Sequence, residues 1–315
     1  MKNKNKIRVG RHTLELSRTD KVLFPGDGIT KGDLIAYYRE IAEAMLPFLR
    51  DRPVAMVRCP DGIDGECFYH KDIPEYYPDW IKRVTIKKEG GTLRQVLCND
   101  AATLVYLANQ ACITPHVWLS RADKLDCPDQ LIFDLDPPEN HLTPVCEAAR
   151  TLRNVFDEIG MVAFVKTTGS RGLHLVVPLD RSADFDTVRK FAHDVAVIAA
   201  QREPKRLTVE YSKNNRRGRV YLDTLRNAYD QTAAPAFAVR PKPGAPVSVP
   251  LAWEELGDCR LISQRYNIRN IFKRLNSQKV DPWKGIRQRA RSLHSARRRL
   301  DELMRKDVAR EAAIS

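Results

Sequence analysis

The sequence predicts an α+β fold whose strands pair mainly antiparallel. Three observations carry this. Helical and strand-like apolar runs are mixed without strict β-α-β alternation. Val162 to Lys166 and Leu173 to Pro178 read as the arms of a hairpin around a glycine-bearing turn. The 315 residues, 43% hydrophobic and 30% charged, can build a real core in one large domain or two modest ones.

The elements follow in chain order. Residues 7–16 alternate as one or two strands. Thr30 with Asp33 resembles a capping box ahead of the periodic run Leu34, Ile35, Tyr37, Tyr38, Ile41 and Met45, so a helix is expected over about 31–46. Residues 53–58 and 66–70 read as short strands around the loop Pro60-Asp61-Gly62. Leu93 to Gln110 contains a helical run through Ala101, Leu104, Val105 and Ala108. A strand over 131–136 is followed by a helix over about 144–159, the hairpin, and a helix over 184–201. Strands are expected over 207–211, 219–223 and 236–240. Residues 1–275 read as one catalytic domain. Residues 276–315 are basic with helical spacing of Leu300, Met304 and Val308, an appended helix or a partly loose tail.

Net charge is +13, which favours a polyanionic partner such as nucleic acid. No apolar run approaches the about 18 residues that span a bilayer. The basic Met1–Lys6 is followed by no apolar segment, so no secretory signal is expected. The cysteines, 59, 67, 98, 112, 127, 146 and 259, are odd in number and form no C-x-x-C pair. That argues against a disulfide framework and a cysteine-rich zinc site, and for a reducing cytoplasm.

Asp134-Leu135-Asp136 closes the apolar run Leu131-Ile132-Phe133 and is stopped by Pro137-Pro138. Strand side chains alternate between faces, so both carboxylates share one. Their repulsion calls for protons or cations, and Mg²⁺ and Mn²⁺ prefer oxygen ligands. Thr167-Thr168-Gly169-Ser170-Arg171-Gly172-Leu173-His174 joins the hairpin arms. Its glycines expose backbone N–H groups, Ser170 adds a hydroxyl and Arg171 a positive fork, a fair phosphate cradle though not a Walker loop. His174 lies on the face opposite Leu173, Leu175 and Val177. Val220-Tyr221-Leu222-Asp223 ends in a third carboxylate, followed by Arg226 and Asn227, and Arg240 closes another short run. Three strand-borne carboxylates, a glycine turn and arginines suggest metal-assisted phosphoryl chemistry, in which two cations about 3.5–4 Å apart clamp the attacking and leaving oxygens.

These residues resemble the polymerase domain of bacterial non-homologous end-joining ligase D, in the archaeo-eukaryotic primase superfamily. The matching segments are Asp20–Pro25, Arg58–Ile63, Glu66–Lys71, Asp134–Pro137, Thr168–His174 and Asp223–Asn227, in the family's order over about residues 10–270. The resemblance implies a primase-like catalytic core of mixed and antiparallel sheets flanked by helices. Asp134, Asp136 and Asp223 resemble its catalytic, metal-binding triad for two Mn²⁺ or Mg²⁺ ions, with Asp223 assisting the 3′-hydroxyl. His116, Ser170, Arg171, His174, Arg226 and Arg240 resemble the nucleotide grip. Lys21 and Lys31 match holders of a DNA 5′-phosphate. Phe68 and Tyr69, with Lys71 beside them, match a template-stacking pair.

There are departures. The family often has Asn where this chain has Arg18, Gly-Lys where it has Ser170-Arg171, and Phe-Phe where it has Phe68-Tyr69. No K-x-D-G ligase adenylation motif is present. The resemblance implies a template-dependent, ribonucleotide-preferring nucleotidyltransferase working at double-stranded ends and gapped DNA with a 5′-phosphate. Its expected partners are NTP or dNTP, a Ku-type end-binding protein and a DNA ligase, in the cytoplasm at the nucleoid and without a membrane. Its rivals are a de novo primase, which shares the triad, and a non-catalytic module that bridges DNA ends.

Overall fold

The structure, a computed structural model, describes residues 5–88, 90–138 and 141–312. These form two compact units. The first draws on Met1–Asp123, Thr232–Val249 and Gln264–Gln278, the second on Lys124–Gln231, Pro250–Ser263 and Lys279–Ser315. Residues 1–275, expected as one domain, therefore contribute to both.

In the first unit the helix Lys31–Leu49 starts where the capping signal places it. Thr30 Oγ1 accepts from Asp33 N at 3.1 Å, and the Asp33 carboxylate accepts from Thr30 N at 2.8 Å. It runs past the expected end to Leu49, with Pro47 inside its final turn. Leu34, Ile35, Tyr38, Ile41 and Met45 are buried on its inner face. A six-stranded sheet has the order Thr232–Ala233, Cys112–Trp118, Pro53–Arg58, Gly91–Leu97, Arg83–Lys88, with its sixth strand, Phe68–His70, paired with Pro53–Arg58.

The helical run contained in Leu93–Gln110 is the helix Ala101–Asn109, capped by the Asp100 side chain on Thr103 N, and Gly91–Leu97 before it pairs as a strand with Arg83–Lys88. Two expectations need correction here. The strand expected over 236–240 is a buried loop. Phe237 takes φ +66, and only Val239 bridges to Val247. The argument against disulfides misses one bridge, Cys59–Cys67. The hairpin register brings the two together, since Arg58 pairs with Phe68 immediately beside them.

In the second unit a six-stranded sheet has the order Leu207–Thr208, Val220–Asp223, Gln130–Asp136, Leu173–Pro178, Phe164–Thr167, Pro250–Leu251. All neighbours are antiparallel except Leu207–Thr208 with Val220–Asp223. Leu131, Phe133, Leu135, Leu173, Leu175 and Val177 are wholly buried. The helices Thr143–Glu158 and Phe185–Arg202 pack on the strand Gln130–Asp136, with Phe156 edge-on to Phe133. The terminal helix Leu293–Ala312 packs on Phe185–Arg202, burying Leu293, Ala296 and Leu300 and pairing Arg297 with Asp194. Among the described residues no helix is long and apolar enough to cross a membrane.

Candidate active site

One sheet face of the second unit gathers the acidic residues. Asp134 lies directly opposite Asp223 on one neighbour and His174 on the other, and His174 lies opposite Lys166. Paired residues share a face, so Asp223, Asp134, His174 and Lys166 form a row across four strands. Asp136 is two residues along from Asp134 on the same face, opposite Tyr221. The apolar alternates fill the other face, which the helices cover. Alternation thus sends the core one way and the carboxylates the other.

Two carboxylates opposite one another destabilise a sheet unless compensated. Asp134 is compensated by its neighbours. His174 Nε2 lies 3.3 Å from Oδ1, and Arg226 Nε 3.5 Å from Oδ2. Burial pushes the Asp134 carboxyl up, but the charge and hydrogen bond of His174, then Arg226 and Lys166, outweigh this and hold it well below the usual range. Asp136 is raised by desolvation and then by Asp134. Asp223 is raised by desolvation and by Asp134, against a hydrogen bond from Leu225 N at 2.7 Å. Carboxylates pushed apart in proton affinity mark acid–base and metal sites. Among the described residues no group of three acidic, His or Cys side chains converges on one point. The donor set still fits hard divalent cations: three oxygen ligands, two of them holding excess negative charge that a cation relieves.

The glycine turn is locked against this strand. Gly169 takes φ +67. A Cβ on Gly172 would stand 1.8 Å from the Leu135 carbonyl oxygen and 2.9 Å from Asp136 Oδ1, so only glycine lets the turn close there. Thr168 Oγ1 accepts from both Ser170 N and Gly172 N at 3.2 Å, and Ser263 Oγ donates to Gly172 O at 2.8 Å. Arg171 donates to Pro137 O at 3.2 Å. Ser170 is half-buried and Arg171 exposed, both within a turn that abuts Asp136.

Ser263 and Lys166 are contributors that the sequence reading did not single out, and Asn227 and Thr168, named there only within their motifs, act as positioning residues. Asn227 pairs with Ile132 through both amide atoms, which pins the turn carrying Arg226 to the acidic strand. Lys166 is 2% exposed. A charged residue inside an otherwise apolar hairpin arm was its available signal.

The first unit holds the remaining candidates. Lys31 is buried and donates to Ser17 Oγ at 3.2 Å and Asn109 O at 3.0 Å. Burial, then Arg18 and Lys21, lower its pKa to about 8. Three cations thus crowd one spot, and Lys21 donates to Asp61 Oδ1 at 2.6 Å. Phe68 and Tyr69 are 38% and 59% exposed, which disfavours a purely core-packing role. His116 is buried edge-on to Tyr69, ring centroids 5.5 Å apart. Lys71 follows this hairpin strand, and Arg240, half-buried, donates its backbone N–H to Pro246 O at 2.8 Å.

A family model described as LigD, primase-polymerase domain, matches residues 30–283. The chain belongs to this family. The multifunctional non-homologous end joining protein LigD of Pseudomonas aeruginosa is 33% identical over 281 residues, covering 88% of this chain and 33% of that protein. The bifunctional non-homologous end joining protein LigD of Bacillus subtilis is 30% identical over 267 residues, 84% of this chain and 43% of that protein. The chain thus spans a third to under half the length of these relatives. The polymerase domain of Mycobacterium tuberculosis ligase D, solved in complex with DNA, matches with a TM-score of 0.82 at 30% identity, over 88% of this chain and 99% of that one. The fold is therefore that of the LigD polymerase domain, primase-like and α+β as expected.

Proposed function

We propose that this chain is a template-dependent nucleotidyltransferase that adds nucleotides, preferentially ribonucleotides, to 3′ ends at DNA gaps and double-strand breaks during non-homologous end joining. The observation that carries the reading is the register pairing Asp134 with Asp223, beside Asp136 and against the glycine turn. Asp134, Asp136 and Asp223 would hold two Mn²⁺ or Mg²⁺ ions, which would supply charge stabilisation to the transferring phosphoryl group. Asp223, placed opposite Asp134, assists deprotonation of the 3′-hydroxyl as that oxygen bonds to the α-phosphorus and pyrophosphate leaves. His174 and Arg226, freed from Asp134, turn to the triphosphate together with Ser170 and Arg171. Lys21 and Lys31 hold the DNA 5′-phosphate, an anion that relieves their mutual repulsion. Phe68 and Tyr69 stack on template bases, with Lys71 on the backbone; stacking is sequence-tolerant because every base has a π-face.

The names of the relatives support end joining as the setting, hence work on nucleoid DNA in the cytoplasm alongside a Ku-type end-binding protein and a ligase activity. The test is fill-in of a gapped duplex bearing a 5′-phosphate, comparing NTP with dNTP and Mn²⁺ with Mg²⁺, with a primer-free arm. Incorporation that requires the primer and favours NTP is expected. Products without primer indicate a primase, and no incorporation indicates an end-binding module.

A further inference from the structure

The loop Cys59–Cys67 carries chemistry that nucleotidyl transfer does not use. Cys59 follows the strand Pro53–Arg58 and is wholly buried; Cys67 precedes the edge strand Phe68–His70 and is exposed. The last ladder pair is Arg58 with Phe68, so the next residue on each side meets across the hairpin, Cα atoms 4.3 Å apart, and the two are bonded through sulfur. The enclosed loop touches two DNA-directed groups. Asp61 inside it accepts from Lys21, and Phe68-Tyr69 leave it directly.

The edge strand is poorly held by its ladder. It makes three register pairs with one neighbour, too little for independent stability. Arg58 helps, with its guanidinium 5.9 Å over the Phe68 ring and 3.0 Å from His70 Nδ1. The covalent link at the loop end of the hairpin is the strongest restraint on the aromatic pair. In a chain otherwise rich in unpaired, buried thiols (Cys98, Cys112 and Cys146), one bridge at a surface hairpin is the type that forms and breaks with redox state rather than a structural framework.

We propose that Cys59–Cys67 is a reversible thiol–disulfide modification site through which a low-molecular-weight thiol–disulfide couple sets how firmly Phe68 and Tyr69 grip template DNA. Reduction begins at the exposed side. A small thiolate attacks Cys67 sulfur, the S–S bond breaks, and Cys59 leaves as a thiolate that takes a proton. A second small thiolate attacks the mixed disulfide, releasing the small disulfide and the Cys67 thiolate. The protein gains two electrons and two protons, and the couple is oxidised by the same amount. Reoxidation runs the exchange backwards. The bridged form presents a preorganised platform; the dithiol form must order the hairpin when DNA binds, which weakens binding.

The inference rests on the reading of Phe68 and Tyr69 as template-stacking residues, and the test separates the two. The full 315-residue chain is equilibrated with oxidised or reduced glutathione, and the bridge is quantified by peptide mass mapping. Affinity for a fluorescent gapped duplex with a single-stranded template segment is then measured by anisotropy. Reduction of the wild type is expected to raise Kd roughly tenfold, the loss of about one stacked base, and reoxidation to restore it. Cys67→Ser, at an exposed position, is expected to bind like the reduced form in both buffers. Equal Kd values for the two wild-type forms, a redox response that survives Cys67→Ser, or no 59–67 bridge in the oxidised protein overturns the proposal. The oxidised Phe68→Ala/Tyr69→Ala double variant reports on the platform itself. Weak binding there, with equal wild-type Kd values, sinks the redox site alone, whereas wild-type affinity sinks the platform and the proposal with it.

Discussion

Gly172→Ala is the most informative small change. Its Cβ starts 1.8 Å from the Leu135 carbonyl oxygen and 2.8 Å from its carbonyl carbon, both backbone atoms of the acidic strand. Reaching an ordinary contact of about 3.4 Å requires the turn and strand end to separate by roughly 1.6 Å. No rotamer change can supply this, because neither atom belongs to a side chain. The displacement pulls Gly172 O from Ser263 Oγ and shifts Ser170 and Arg171 away from Asp136. Overpacking of this kind costs about 1–3 kcal/mol of stability. Misplacing a positioning element by an ångström costs on the order of 100-fold in rate. We therefore expect Gly172→Ala to remain folded by circular dichroism, melt a few degrees lower, and lose about 100-fold in kcat/KM for gap filling. Gly169→Ala, at φ +67, should show backbone strain instead and a smaller activity loss. Near wild-type kcat/KM in folded Gly172→Ala would refute the claim that the turn is held in working position by closure on Leu135.

Three further outcomes follow. Asp223→Asn keeps an acceptor for Leu225 N but removes the like charge opposite Asp134; relief of about 0.2–1 kcal/mol should raise the metal-free melting temperature by up to about 3 °C while activity is lost. The sign agrees with linkage: the folded protein holds the Asp223 proton more tightly than the unfolded chain, so this group's contribution favours folding below its unfolded pKa and is lost as pH rises through the folded one. Because Asp136 and Asp223 must be ionised to bind metal, the apparent affinity for Mn²⁺ should start to fall, as pH is lowered, above the ordinary carboxylate range; an onset at or below that range contradicts it. Lys21→Ala and Lys31→Ala should each weaken binding to gapped DNA with a 5′-phosphate by about 10–100-fold and spare the unphosphorylated substrate. The wild-type preference should also shrink above about pH 8 as Lys31 loses its proton, and equal losses on both substrates would indicate general backbone binding.

Much of the fold and site was legible because its signals are local. The Thr30–Asp33 cap, the apolar run ending at Asp134-Leu135-Asp136 and the glycine-bearing hairpin each lie within a few residues. What was not legible depends on pairing between distant segments. Nothing in Gly91–Leu97 alone shows that Arg83–Lys88 will claim it as a strand. The opposition of Asp223 to Asp134 arises from register, as does the alignment of Lys166 with His174. C-x-x-C spacing does not reveal Cys59 and Cys67 as partners, because a hairpin brings together any two residues flanking a ladder pair. Asn227 looked like a companion of Arg226, but its work is to tie that turn to Ile132.

The central claim is that Asp134, Asp136 and Asp223 form a metal-dependent nucleotidyl-transfer site. It is tested most directly by single-turnover incorporation of ATP into a gapped duplex with Mn²⁺, comparing wild type with Asp136→Ala at saturating enzyme. Asp136 is the most exposed carboxylate of the three, so its removal should leave the fold and DNA affinity intact. The account predicts DNA binding within about twofold of wild type and a rate at least roughly a thousandfold lower, the loss of metal-assisted charge stabilisation. An Asp136→Ala protein that extends the primer at near wild-type rate would contradict it.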